Sequence, residues 1–118
     1  MPTIEKTTDK TVEKAKELRD LIFKARDLMH GAKREELGFM AEDILVSQTE
    51  FLTYKINSET SYRQRIRQLE EEKDLSFSSA ENLAKTEEVY AIYKKTDHLY
   101  DLASEQIRLL KILLTFGY

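Results

Sequence analysis

Apolar residues recur along this chain at helical spacing from one end to the other. Ala15, Leu18, Ile22, Ala25 and Met29 follow at steps of three and four, flanked by Leu21 and Leu28, which marks one buried face of a helix. A second stripe runs through Leu37, Met40, Ala41, Ile44, Gln48, Phe51 and Leu52 and resumes at Tyr62, Ile66 and Leu69. A third comprises Val89, Ile92, Thr96, Leu99, Tyr100, Ala103, Ile107, Leu110 and Leu114. Between Phe39 and Phe116 there is no glycine and no proline, so the ordinary punctuation between elements is missing.

The boundaries follow from local chemistry. Residues 1–8 are polar and threonine-rich and read as a flexible N-terminal tail. Thr8 or Asp9 caps a helix over about 9–30, and Gly31 stands where a left-handed C-terminal residue is expected. Glu35 and Glu36 suit a helix N-terminus, which places the next turn at about 31–35 and Gly38 inside the second helix; a break at Gly38 is the other reading. The segment Asn57-Ser58-Glu59-Thr60-Ser61 is poor in helix formers. Phase argues for continuity, because Tyr62, Ile66 and Leu69 fall within about 40° of the direction set by Ile44. One helix over 35–73, about 60 Å long, is therefore expected, followed by a turn at 74–77. Ser78, three residues before Glu81, has capping-box spacing and opens a last helix over 79–116.

Short connections make sequential helices antiparallel. The expected fold is all-α: an elongated three-helix bundle with a long antiparallel coiled-coil hairpin, residues 9–118 forming a single helical domain. A break at 57–61 would instead give a compact four-helix bundle. The first helix should cover one end of the hairpin and leave a two-helix tip at about 57–94. Gln48, Lys55 and Ser58 fall on the seam of helix two, where polar residues either fix register or turn towards water.

Composition narrows the function classes. Of 118 residues, 41% are hydrophobic, enough for a core, and the net charge of −3 argues against a dedicated polyanion binder. With no cysteine there are no disulfides and no thiol chemistry, in keeping with a reducing, cytoplasmic location. Residues 1–10 lack the apolar core of a signal peptide, and Leu99–Phe116 is interrupted by Asp101, Glu105, Arg108 and Lys111, so no membrane contact is expected.

Candidate chemistry is sparse. Asp27-x-x-His30 and His98-x-x-Asp101 have the spacing of di-metal bundles, yet an inward four-carboxylate pattern is missing, and no metal or cofactor is expected. Serines 76, 78 and 79 cluster where capping explains them, and no glycine-rich phosphate loop exists. No catalytic residue is assigned, and an enzyme is not expected.

Two surfaces remain. Leu109, Ile112, Leu113 and Phe116 widen the last stripe beyond what one neighbouring helix covers, which points to self-association with a second copy of the chain. Near the tip, Tyr62, Arg63 and Arg67, with Lys94 and Lys95 opposite, form a candidate contact surface, with Arg67 and Glu71 placed to pair along the helix. The expectation is a non-catalytic protein–protein interaction or assembly module, an adaptor- or chaperone-like helical hairpin. The alternative is a nucleic-acid-associated regulator using the basic tip.

Overall fold

The computed structural model describes residues 4–116, with side chains from Lys10 onward. Among the described residues the chain is all-α and has no strand: α1 is Ile4–Leu28, α2 Arg34–Lys73, α3 Phe77–Ala84 and α4 Glu88–Phe116, with a 3-10 turn at Met29–Gly31. No helix among them is long and apolar enough to cross a membrane. The chain divides into two compact units, one made of the residues up to Leu52 and from Leu99 on, the other of Thr53–His98.

Three boundaries differ from those read in the sequence. Of the expected tail, residues 1–3 lie outside the described residues, while 4–8 belong to α1. Thr7 and Thr8 each cost about 0.7 kcal/mol at most against alanine, too little to end a helix with Glu5, Lys6 and Lys10 around them. Gly31 is not left-handed; no glycine among the described residues has a positive φ. The chain instead tightens into the 3-10 turn, and the Ala32 N–H donates to the Met29 carbonyl at 3.5 Å. At the start of α2 the Glu36 carboxylate reaches back to accept from the Lys33 N–H at 3.2 Å, half of a capping box.

Gly38 therefore lies inside α2, and a methyl group added there meets nothing within 4 Å. Gly38→Ala is expected to stabilise the fold by about 0.5–1 kcal/mol, measured as a rise in the urea midpoint.

Helix α2 continues through Asn57–Ser61. Ser58 satisfies its hydroxyl within the helix by donating to the Tyr54 carbonyl at 2.8 Å. Glu59 pairs one turn ahead with Arg63 at 2.9 Å, the favourable orientation for such a pair. At its end, Asp74 takes the left-handed conformation (φ 50°) that a glycine would ordinarily supply. The Leu75 N–H then donates to the Glu70 carbonyl at 3.3 Å, the long bond of a Schellman motif, and Leu75 packs against the cluster containing Leu69, as that motif favours.

The expected last helix is two helices. Its cap is Ser76 rather than Ser78: the extended backbone of Ser76 lets its hydroxyl accept from the Ser79 N–H, so the Ser78–Glu81 spacing lies inside the first turns of α3. Helix α3 ends at Ala84 because Thr86 and Glu87 bond three residues back instead of four, to Leu83 and Ala84, each at 3.0 Å. The Thr86 hydroxyl adds a second donor to the Leu83 carbonyl at 2.6 Å, competing with helix continuation. The segment expected to hold only two helices thus contains a third, whose small residues Ala80 and Ala84 are fully buried beside Tyr62, Ile66 and Leu69.

In the other unit the buried residues include Leu18, Ile22 and Ala25 of α1, Leu37, Ile44 and Phe51 of α2, and Ala103, Ile107 and Leu110 of α4. Gln48 is buried there too. Its amide donates to the Tyr100 carbonyl at 3.1 Å and to Ser104 Oγ at 2.6 Å, so this seam residue is satisfied across helices. Gln106 is buried with its amide oxygen unpaired among the described residues, its nitrogen lying 3.3 Å from Met29 Sδ.

Candidate protein-contact surfaces

Within Thr53–His98, the Arg63 and Arg67 turns of α2 lie beside the start of α4, with Tyr62 in direct ring contact with Tyr90 and Tyr93, and residues of α3 join them. They enclose a groove of about 490 Å³. Tyr62, Arg63, Ile66, Arg67 and Glu70 form one wall, Tyr90, Tyr93 and Lys94 the other, and Phe77, Glu81 and Lys85 close it. Four of the five tip residues expected from the sequence thus come together. Lys95 does not line the groove and is exposed on α4.

The aromatic side chains form a packed set. Tyr62 stacks on Tyr93 with centroids 5.3 Å apart and planes at 14°, and meets Tyr90 at 5.1 Å. Lys94 Nζ lies 5.2 Å from the Tyr93 centroid and 5.7 Å from that of Tyr90, within cation–π range. Tyr62 is buried, so it supports the groove from below instead of offering a contact. Burial, followed by the nearby Glu81 charge, pushes its phenol above the ordinary range.

The basic residues are not equivalent. Arg63 is held by Glu59, and that hydrogen bond raises the guanidinium further. Lys85 pairs with Glu81 at 3.5 Å. The expected Arg67–Glu71 pair does not form, and among the described residues Arg67 makes no ion pair. Arg65, on another face, is engaged by Glu87 through two bonds of 2.6 and 3.0 Å.

The Arg65 hydrogen bond holds the Glu87 carboxyl below its ordinary range, against the opposing effect of burial. A depressed folded-state value contributes stability that is present above the unfolded-state value and lost as pH falls through the folded one. Glu87→Gln is therefore expected to lower stability at neutral pH and to match the wild type in strong acid. Urea midpoints of both chains across that range check the sign.

Within the unit that contains Leu99–Phe116, Ile112 is 40% and Phe116 81% exposed, while Leu109 and Leu113 are half-buried. The nearby Arg108 donates to Glu105 at 3.1 Å, and this pairing leaves the flank without an unneutralised neighbour among those two. The same unit also exposes Phe39 and Val46, seven residues apart on α2, at 65% and 52%.

Known proteins add nothing to this geometry. The chain matches no family model, no curated protein and no solved structure.

Sequence reasoning passed over Phe77, Glu81 and Lys85 as groove residues, although their i, i+4, i+8 spacing places them on one helix face. Tyr90 and Tyr93, between the stripe positions Val89 and Ile92 and just after them, also line the groove. Both histidines, His30 and His98, are exposed. Among the described residues no group of three or more His, Cys, Asp or Glu is placed to hold a metal ion.

Proposed function

We propose that this chain is a non-catalytic protein–protein interaction and assembly module, an adaptor- or chaperone-like helical hairpin that associates with a second copy of itself through the last turns of α4. The observation that carries the reading is the exposure of Ile112 and Phe116 beside half-buried Leu109 and Leu113. Such a contiguous apolar flank favours burial against a like surface, and a two-fold pair lets the same residues serve on both sides. In this reading α2 and α4 pair as an antiparallel coiled-coil hairpin, and α1 completes a three-helix bundle at its open end. Support comes from pairs whose numbers fall on one side as they rise on the other. These are Gln48 with Tyr100 and Ser104 in one unit, and Lys55 with Asp97 and Tyr62 with Tyr93 in the other. The absence of cysteine supports a reducing, cytoplasmic setting.

Light scattering on the wild type and on Ile112→Glu/Phe116→Glu tests the reading. The wild type should show a mass above that of the 13.9 kDa chain, and the double variant should fall to the monomer while keeping its helical circular dichroism. A wild type that stays monomeric as concentration rises would sink the proposal.

A further inference from the structure

We propose that the groove lined by Phe77, Tyr90, Tyr93, Arg67 and Lys94 docks a short acidic peptide segment carrying an apolar anchor. Three observations converge on that occupant. The concavity of about 490 Å³ lies in the range of small-ligand and side-chain pockets. Phe77 is 58% exposed at its edge, and the half-buried Tyr90 and Tyr93 give it an aromatic wall, the composition that supplies anchor contacts at protein interfaces. Its charge is the decisive feature.

In a chain of net charge −3, four cations line this groove against two carboxylates, Glu70 and Glu81. Arg63 and Lys85 are neutralised by Glu59 and Glu81. Among the described residues neither Arg67 nor Lys94 makes an ion pair, and Lys94 lies over the Tyr90 and Tyr93 rings. Two such cations beside an aromatic wall complement discrete carboxylates flanking an apolar side chain.

Nucleic acid would supply anions as well, but the geometry disfavours it. Base stacking needs open ring faces, whereas Tyr62 covers Tyr93 at 14° and Lys94 lies over Tyr90 and Tyr93. Glu70, Glu71 and Glu72 begin three residues after Arg67 on the same helix, which opposes a continuous phosphate backbone. A short peptide can place discrete carboxylates at Arg67 and Lys94 and keep them off Glu70, which shares the groove wall and which an unbroken run of phosphates could not avoid.

Fluorescence anisotropy provides the test, with three labelled probes. They are short peptides of alternating aspartate and glutamate around a central tryptophan, the lysine counterparts, and a mixed-sequence single-stranded oligonucleotide. The acidic peptide should bind, weaken as salt rises, and lose about tenfold in affinity with each of Arg67→Glu, Lys94→Glu and Phe77→Ser. All three positions are exposed, and unchanged helical circular dichroism confirms that the variants fold. Ile112→Glu/Phe116→Glu should retain the binding, which separates this site from self-association. Absence of acidic-peptide binding, equal binding of the lysine peptide, tighter binding of the oligonucleotide, or binding unaffected by all three substitutions would each overturn the proposal.

Discussion

Thr60→Pro is expected to destabilise the protein by about 3 kcal/mol or more. Thr60 lies in the middle of α2 and its side chain is exposed, so almost nothing is lost in packing. The cost is in the backbone. Proline removes the N–H that bonds four residues back, its ring collides with the carbonyl of Ile56, and it disfavours the helical conformation of Glu59. Thr60→Ala at the same place should be neutral to slightly stabilising. Were residues 57–61 a loop, proline would be tolerated and the two variants would melt alike. Urea unfolding of both, followed by far-ultraviolet circular dichroism, distinguishes the cases.

Phe51→Ala is expected to cost about 3–5 kcal/mol, the range for emptying a large aromatic site in a packed core. Phe51 is fully buried and the bulkiest of the completely enclosed side chains. A loss of this size is a large fraction of the roughly 5–15 kcal/mol that separates folded from unfolded domains. Phe39→Ala is the matched control on the same helix. At 65% exposed, Phe39 should change stability by no more than about 0.5 kcal/mol. A similar midpoint shift for both would show that the α2 face is assigned wrongly.

The helical stripes were legible because burial imposes a period on the sequence. Leu37, Ile44, Phe51, Ile66 and Leu69 are buried as their phase requires, and the same phase carried α2 through a segment of poor helix formers. Breaks without glycine or proline were not legible. The left-handed residue at the end of α2 is Asp74. The interruption between α3 and α4 depends on Thr86 bonding to Leu83, a local competition that leaves no mark on the apolar pattern.

The groove was half legible. Arg63, Arg67 and Tyr62 stood out as a cluster, but their neighbours from α3 depend on a helix boundary that the sequence misplaced by two residues, from Phe77 to 79. Which cations remain unneutralised depends on rotamers, and spacing alone favoured an Arg67–Glu71 pair that does not form. The surplus at Leu109, Ile112, Leu113 and Phe116 was visible as stripe width. Phe39 and Val46 lie off the stripe and are exposed as their phase requires, but no contact surface was read from them.

Those two apolar surfaces make one experiment decisive for the claim that the chain acts by contact through the end of α4. A dilution series followed by amide proton–nitrogen correlation spectra should show concentration-dependent shifts concentrated at Leu109–Phe116. Spectra that do not change with concentration, or shifts centred on Phe39 and Val46, would contradict it.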